Sequence, residues 1–471
     1  MTTTLIKNGT LITATDTFEA DILIEAEKIS LIGRDLQHPN ANVIDATGKL
    51  IMPGGIDPHV HLDLPMFGTV SSDDHYTGHK AAAFGGTTTA MDFVVLEKEG
   101  FQHSVDIWMK MAEKAAIDYS FHMNLTRFDD EIAGQIPSLR EMGITTLKVF
   151  TAYTGRLRID DGGIFKAMQI ARDNGMLVMA HCENGDVIDT LIEQALAAGH
   201  TTPEWHALTR PGWGAVESTL RVAGMASAAD ASVYIVHMNM GGEVDMLQYA
   251  RQRGVKVMGE TCPQYLFFTI DDLRREDGSK WICSPPMRSA EDNDRLWEGL
   301  SQGILQTVGT DHCPFFYDGT RPIRYEGREI AIPGKELGRG DFTKIPNGLP
   351  GIEDRMPVLW TTGVRSGKIT ANQFVAYNCT NPAKIFGLYP RKGALLAGSD
   401  ADIVIWDPEK KVTYGAARAH QRTDYNLYEG WELTGMPEKV FLRGRLIVDG
   451  DQWLGRRGDG KFLERGEGEV L

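Results

Sequence analysis

Short apolar runs alternate with amphipathic stretches through the middle of the chain. Eight runs have the Gly-rich or charged flanks that mark strand ends: GGIDPHVHL, TTTAMDFVV, YSFHMNL, TTLKVFTAY, MLVMAHC, SVYIVHM, VKVMGETC and QTVGTDHC. The stretches between them have helical periodicity, and several end in Gly, as a helix C-terminus often does. Continuous apolar strands that alternate with helices predict a parallel sheet covered by helices.

Eight strand–helix units over roughly 300 residues favour a closed α/β barrel of the (β/α)₈ TIM type over an open doubly wound sheet. Neither a GxGxxG nor a GxxxxGK[ST] motif opens a helix after the first strand, which weakens a nucleotide-binding alternative. In such barrels the active site lies at the carboxyl ends of the strands.

The two ends of the chain have a different pattern, with short alternating runs separated by turn residues. LIKNGTLI near the start and FLRGRLIV near the end both suggest a strand, a turn and a strand. Because each end alone is short for a stable sheet, we expect residues 1–52 and 393–450 to form one small β-sandwich. The barrel would then occupy residues 53–392, and residues 451–471 would form a C-terminal extension available for contact with a neighbouring subunit.

Composition excludes several classes of protein. The 471 residues include 48 Lys and Arg against 64 Asp and Glu, which gives a formal charge of −16. Phosphates repel such a chain, so nucleic acid and anionic membrane surfaces are not expected partners. The sequence has no apolar run of membrane-spanning length and no secretory signal at its start, and its five cysteines form no CxxC pair. These features predict a cytoplasmic protein.

The strongest chemical signal is the HxH motif in Asp57-Pro-His59-Val-His61, at the end of the first predicted strand. Side chains two residues apart on a strand point to the same face, so both imidazoles can reach one ion. Imidazole is a common ligand of zinc-like metals. Further candidate ligands end four later strands: Lys148, His181, His237 and Asp311. Six such residues on five strand ends predict a metal site at the carboxyl face of the barrel.

Lys148 is the unusual member of this set, because a protonated amine cannot coordinate a cation. Reaction with carbon dioxide would convert it into a carbamate, a carboxylate-like anion that can bridge two metals. The alternative is an ordinary lysine that forms a salt bridge at a strand end.

The chain resembles the cyclic amidohydrolases of the dihydropyrimidinase and D-hydantoinase group, and the similar motifs extend over almost its whole length: GGIDPHVHLD, AAAFGGTTTAMDF, LKVFTAY, AHCENGD, ETCPQYL, SPPMR, GTDHCPF, IPNGLPGIEDR, KIFGLYPRKG and GSDADIVIWDP. The resemblance implies a TIM-type barrel with a composite β-sandwich, a homotetramer, and two Zn²⁺ per subunit bridged by a carboxylated Lys148 (N6-carboxylysine) and a hydroxide. One zinc would be held by His59, His61, Lys148 and Asp311, and the other by Lys148, His181 and His237.

The same resemblance assigns the substrate contacts. Tyr153 corresponds to the tyrosine that polarises the substrate, and the backbone groups of Ser284 and Asn347 would hold the ring amide. The expected reaction is hydrolysis of the cyclic amide of a dihydropyrimidine or a 5-substituted hydantoin to an N-carbamoyl amino acid. Asp311 would take the proton of the attacking water and pass it to the leaving ring nitrogen.

Specificity is expected to come from the loops around the site. Leu64, Pro65, Met66 and Phe67 follow the HxH motif and predict a hydrophobic wall for the exocyclic substituent of the ring. Two alternatives stay within the superfamily, an allantoinase and a dihydroorotase, whose substrates call for polar or cationic contacts. A third is a non-catalytic dihydropyrimidinase-like scaffold, which the presence of all six ligand positions disfavours.

Overall fold

A computed structural model describes residues 3–66 and 68–471. Its strands are β1 Thr3–Ile12, β2 Thr17–Glu25, β3 Lys28–Gly33, β4 Asn42–Asp45, β5 Leu50–Pro53, β6 Gly55–Val60, β7 Pro65–Met66, β8 Thr69–Val70, β9 Thr87–Val95, β10 Asp118–Asn124, β11 Thr146–Phe150, β12 Leu177–His181, β13 Val233–Met238, β14 Val257–Thr261, β15 Thr307–Val308, β16 Ile323–Tyr325, β17 Arg328–Ile330, β18 Ile403–Thr413, β19 Glu432–Leu442, β20 Arg445–Asp449 and β21 Gln452–Trp453. Its α-helices are α1 Thr77–Phe84, α2 Phe101–Met111, α3 Asp130–Glu141, α4 Asp161–Asp173, α5 Gly185–Ala197, α6 Glu204–Leu208, α7 Gly212–Ala229, α8 Gly241–Arg251, α9 Ile270–Leu273, α10 Ala290–Ser301, α11 Arg355–Leu359, α12 Ala371–Val375 and α13 Asn381–Ile385.

Eight parallel strands form the barrel wall in the order β6, β9, β10, β11, β12, β13, β14, β15. Each of the eight predicted runs overlaps one of them, and the amphipathic stretches between the runs form helices such as α2, α4 and α8. The strands are buried on both faces because side chains fill the interior and helices cover the outside. The TIM-type α/β barrel predicted from the sequence is therefore confirmed.

A buried arginine connects the first and last strands of the barrel by hydrogen bonds. Arg355, at the start of α11, is fully buried, and its Nη1 donates to the carbonyl oxygens of Ile56 on β6 at 2.8 Å and Val308 on β15 at 2.9 Å. Its Nη2 donates to Thr87 Oγ1 at 2.9 Å on the neighbouring strand β9. One guanidinium thus satisfies carbonyl groups that a short β15 leaves without ladder partners.

Replacement of Arg355 by methionine should lower the free energy of unfolding by about 3–5 kcal/mol, because it leaves several buried acceptors without donors. Urea titration of the variant measures this loss. The matched control is Arg365→Met, since Arg365 is partly exposed and donates to Pro408 O and Glu409 near the surface. If the free energy of unfolding falls no more for the Arg355 variant than for the control, the connection between β6 and β15 does not depend on this side chain.

The two chain ends join in a second, largely antiparallel sheet. Strand β5 pairs with β18, with Pro53 opposite Ile403, so the path runs β21, β20, β19, β18, β5, β1, β2, β3. Apolar side chains from both ends share one core: Ile6, Leu11, Ile22, Ile24, Ile29, Ile51, Ile403, Ile405 and Phe441. The expected composite β-domain is thus present, while the limits assigned to the domains stay predictions.

The C-terminal segment packs against the barrel of its own chain. Tyr119, at the start of β10, donates its backbone N–H to Lys461 O at 3.0 Å, and its carbonyl accepts from Leu463 N at 2.7 Å. Contact between residues 451–471 and a neighbouring subunit stays a prediction. Within the described ranges, no helix is both long and apolar enough to cross a membrane.

Candidate metal and substrate site

A cavity of about 320 Å³ opens at the carboxyl ends of the barrel strands. All of the predicted site residues line it: His59, His61, Lys148, Tyr153, His181, His237, Ser284, Asp311 and Asn347. The structure therefore brings together side chains that are up to 288 positions apart in the sequence (347 − 59), although their roles as ligands and substrate contacts remain proposals.

Three of these residues have left-handed backbone conformations, which non-glycine residues rarely adopt. Tyr153 has φ 68°, His237 has φ 40° and Asp311 has φ 53°. Such strain is typical of functional sites, where the surrounding fold holds a side chain in place at some cost. The ladder between β13 and β14 is also irregular after Ile235, next to His237. Asp311 was expected at the end of the eighth strand, but β15 ends at Val308, so Asp311 lies in the loop that follows.

One group of candidate ligands in the cavity consists of His59 and His61, from the HxH motif, and Asp311, which faces both of them. Asp311 Oδ1 lies 3.2 Å from His59 Nε2 and 3.1 Å from His61 Nε2. Ligand atoms of His59, His237 and Asp311 lie within 4.8 Å of one another. Burial tends to raise the pKa of Asp311, but the neighbouring imidazoles of His59 and His61 hold it below its usual value. Asp311 is therefore a carboxylate at neutral pH.

Glu260 orients His59 through Nδ1, the ring nitrogen that does not face Asp311. Its Oε1 lies 2.7 Å from His59 Nδ1 and accepts from His237 N at 3.0 Å, while its Oε2 accepts from Tyr234 Oη at 2.8 Å. Because a carboxylate accepts only, His59 carries its proton on Nδ1 and presents an unprotonated Nε2 to the cavity. Burial raises the pKa of Glu260 to about 7, while the hydrogen bonds from Tyr234 and from the His237 backbone N–H favour its ionised form.

His181 and His237 form the second group of candidate ligands in the cavity. His181 Nε2 lies 2.9 Å from Glu183 Oε2, and its Nδ1 lies 3.0 Å from His237 Nε2. If His181 donates its Nε2–H to Glu183, its Nδ1 carries a lone pair that faces His237. Burial and the neighbouring His181 lower the pKa of His237 well below its usual value, so His237 is neutral, the form in which an imidazole can coordinate a metal.

Lys148 lies between these two groups with its Nζ directed at aromatic rings. Nζ is 4.8 Å from the centroid of Phe93 and 5.2 Å from that of Phe150. None of the ion pairs found among residues 3–66 and 68–471 includes Lys148, which disfavours the alternative of an ordinary salt-bridging lysine. Burial lowers its pKa to about 8, so a neutral amine, the form that reacts with carbon dioxide, is accessible near neutral pH.

The arrangement of donors and acceptors fits a cation. His59 Nε2 is buried without a hydrogen-bond partner, and it faces the Asp311 carboxylate. An unprotonated nitrogen and a carboxylate oxygen repel each other unless a positive ion lies between them. Neutral imidazoles with carboxylates are the ligands that zinc prefers, and partner groups behind them fix the ring orientation. The residues present thus suit a bound divalent metal.

The substrate side of the cavity contains hydrogen-bond donors and an apolar wall. Burial and the nearby Glu183 raise the pKa of Tyr153, so its hydroxyl stays protonated and can donate. Asn347 Nδ2 donates to Ser284 Oγ at 3.1 Å, which links the two predicted substrate positions. The apolar lining includes Leu64, Pro65, Met66, Phe150 and Leu157. Phe67, predicted in the same wall, lies outside the described residues.

Sequence reasoning overlooked Glu260 as a partner of the site. A signal was available, because Glu260 lies next to the end of the seventh strand, as His181 and His237 lie at or next to the ends of theirs. Glu183 holds the ring of His181 in a similar way, through its contact with Nε2. Arg355 gave no such signal, since its role depends on strands far away in the sequence.

Comparisons with known proteins agree with this geometry. A model described as "Amidohydrolase family" matches residues 50–447. The chain is 45% identical to a D-hydantoinase of Geobacillus stearothermophilus over 98% of this chain and 96% of the relative. It is 42% identical to a D-hydantoinase of Streptomyces coelicolor over 99% of each. A crystal structure of dihydropyrimidinase from Brevibacillus agri superimposes with a TM-score of 0.95 at 46% identity, covering 99% of both chains.

Matches of this length and identity cover the barrel and both chain ends together. The observed fold is also that of the structural relative. The chain therefore belongs to the amidohydrolase family and, within it, to the cyclic amidohydrolases of the D-hydantoinase and dihydropyrimidinase group.

Proposed function

We propose that the protein is a zinc-dependent enzyme that opens dihydropyrimidines and 5-substituted hydantoins to N-carbamoyl amino acids. The observation that carries this proposal is the convergence of six metal-capable side chains with Tyr153, Ser284 and Asn347 on one cavity. The cyclic amide hydrolysis itself follows from the family, whereas the metal and the product are inferences of ours.

The residues would hold two zinc ions. One would bind His59, His61 and Asp311, and the other His181 and His237, with a carboxylated Lys148 shared between them. Zinc bound here would lower the pKa of a water molecule and polarise the ring carbonyl. Carboxylation joins Lys148 Nζ to carbon dioxide with loss of a proton, and it turns a group that repels cations into an anionic ligand.

The remaining steps belong to the side chains. Asp311 is a carboxylate near His59 and His61, placed to take the proton of the attacking water and to return it to the leaving ring nitrogen. The Tyr153 hydroxyl donates to the carbonyl oxygen as negative charge develops there. The backbone groups of Ser284 and Asn347 hold the ring amide in place.

The apolar wall supports a substrate with a hydrophobic exocyclic group, and the names of the relatives favour D-5-substituted hydantoins. Allantoin and dihydroorotate require polar or cationic contacts. Arg156 lies exposed in the cavity lining and offers a positive charge to a carboxylated ring, so the test includes dihydroorotate.

An activity panel tests the proposal. The zinc-loaded protein is assayed with dihydrouracil, hydantoin, D- and L-5-substituted hydantoins, allantoin and dihydroorotate, with chiral analysis of the products and metal analysis of the same sample. We expect N-carbamoyl amino acids from the dihydropyrimidine and the hydantoins and about two zinc ions per chain. Preferred turnover of allantoin or dihydroorotate, or full activity without metal, would contradict the proposal.

Replacement of Glu260 by glutamine should weaken zinc binding about 10–100-fold, since the group behind a metal-binding imidazole tunes its orientation and basicity. Competition with a chelator measures the affinity. Glu353→Gln is the matched control, because Glu353 is buried and lies 2.9 Å from Nδ1 of another histidine, His420, away from the cavity. Equal zinc affinities for the two variants would contradict the role of Glu260.

We further infer a homotetramer in the cytoplasm. All five cysteines are buried and free, which suits a reducing compartment. Light scattering on a size-exclusion column tests the oligomeric state, and fractionation of the source cells tests the location.

A further inference from the structure

A buried lysine joins two chain segments that carry predicted contacts of the substrate ring. Lys335 begins a 3-10 turn, Lys335–Gly338, in the long connection between β17 and α11, and it is 1% exposed. Its Nζ donates to Ile282 O at 3.0 Å and to Pro346 O at 3.1 Å. Lys335 itself lies outside the cavity lining, and neither the metal chemistry nor the substrate contacts proposed above use it.

The two carbonyls belong to segments that reach the cavity. Residues 282–284 end at Ser284 and residues 346–348 include Asn347, and both of these residues line the cavity. Asn347 Nδ2 donates to Ser284 Oγ at 3.1 Å, so the two segments also meet at the cavity wall. Lys335 thus binds the same pair of segments from a position outside the lining.

The amine of Lys335 has carbonyl partners and no acidic one. None of the ion pairs found in the described part of the chain includes it, whereas the nearby Lys344 pairs with Asp341 at 3.0 Å. An apolar side chain of similar length would fill this space without the cost of burying an amine, so the two hydrogen bonds are what only the lysine supplies. Burial lowers its pKa to about 7, and because a neutral amine still has two N–H bonds, both contacts persist in either protonation state.

We propose that Lys335 is a positioning residue that sets the spacing between the backbone groups of Ser284 and Asn347, and with it the fit of the substrate ring. Groups that bind a substrate are held within about 0.5 Å of their working geometry by the residues that support them. The inference rests on the proposed function, in which these backbone groups hold the ring amide. Because the amide is bound in the ground state as well as in the transition state, loss of the support should change KM more than kcat.

The first test removes the amine and keeps the length of the side chain. Lys335→Met should raise KM for unsubstituted hydantoin about 10-fold, roughly the value of one hydrogen bond, and should change kcat less than about three-fold. Lys7→Met is the matched control, because Lys7 Nζ also donates to a carbonyl, Leu36 O at 2.9 Å, in the composite β-domain. The control should leave KM unchanged, and both variants should contain as much zinc as the wild type. A KM for Lys335→Met within about two-fold of the wild type, or a loss confined to kcat, would overturn the proposal.

A second comparison separates contacts of the ring from contacts of its substituent. Lys335→Met should raise KM by the same factor for hydantoin and for a 5-substituted hydantoin, because both present the same ring amide. Leu157→Ala, in the apolar lining, should raise KM for the substituted ring alone. An effect of Lys335→Met that is confined to the substituted ring would contradict a role in holding the ring amide.

The connection between the two segments can also be measured without substrate. Gly348 N donates at 3.0 Å to Ile282 O, the carbonyl that Lys335 binds, so hydrogen exchange at the Gly348 amide should be faster in Lys335→Met than in the wild type or in Lys7→Met. If Lys335→Met does not fold, Lys335→Gln takes its place. The glutamine side chain is one bond shorter and should lose one of the two contacts, so KM should rise about three-fold and Gly348 exchange should quicken. A folded glutamine variant that matches the wild type in both measurements would overturn the proposal.

The two proposals fail in different ways. A wild-type protein that opens no ring of the panel contradicts the proposed function, and amide exchange then still decides whether Lys335 joins the two segments. An active wild type whose KM and Gly348 exchange are both unchanged in Lys335→Met contradicts only the role of Lys335.

Discussion

Replacement of Lys148 by alanine is expected to lower turnover at least ~10³-fold and to remove most of the bound zinc. Lys148 is buried between the two groups of candidate ligands, and its Nζ faces Phe93 and Phe150 rather than a carboxylate. Without a bridging anion, the remaining imidazoles and Asp311 supply too little negative charge for two divalent ions. Steady-state rates and metal analysis on the same preparation measure both losses.

Two further experiments distinguish a carbamate on Lys148 from an ordinary lysine. Acetate or propionate should partly restore zinc and turnover to Lys148→Ala, since the carboxylate can occupy the space that the side chain vacates. Lys148→Arg keeps the positive charge but should be inactive and should not respond to these acids. High activity of the arginine variant would show that a cation suffices at this position and would contradict the carbamate.

The wild-type protein offers a further test of whether Lys148 must be carboxylated. Metal-free protein reloaded with zinc should recover turnover faster in the presence of bicarbonate than in buffer freed of carbon dioxide. Because burial lowers the pKa of Lys148 to about 8, the neutral amine needed for the reaction grows in population as the pH rises toward that value. Recovery that is independent of bicarbonate at every pH would contradict the requirement for carboxylation.

The barrel and most of the site could be predicted because they depend on local patterns. Strand alternation is visible along the chain, and parallel strands bring their carboxyl ends to one face, so His59, His181 and His237 were expected together. The HxH spacing needed no knowledge of distant residues. The resemblance then added Tyr153, Ser284 and Asn347, all of which line the same cavity.

Features that depend on contacts between distant segments could not be predicted. Arg355 satisfies carbonyls of β6 and β15, and no local pattern shows that these two strands need a shared donor. The positive φ of His237 and Asp311 is imposed by the surrounding fold and has no signal in their residue types. The contact of Lys335 with Ile282 spans 53 positions and is likewise tertiary.

Asp311 should be essential for turnover while contributing less to metal binding than Lys148. Asp311→Asn keeps the size of the side chain and an oxygen near His59 and His61, but it removes the basic carboxylate. Loss of a general base typically costs about 10²–10⁴ in rate, so kcat should fall by that factor. Much of the zinc should remain, because five other candidate ligands line the cavity.

The comparison that decides the role of Asp311 is between kcat and metal content in one sample. Asp318→Asn serves as the control, since Asp318 accepts from Thr320 Oγ1 outside the cavity and should retain both activity and zinc. If the Asp311 variant loses turnover only in proportion to its zinc, Asp311 is a ligand and not the base. If it retains near-normal kcat, another group must move the proton, and the carboxylate facing His59 and His61 would serve binding alone.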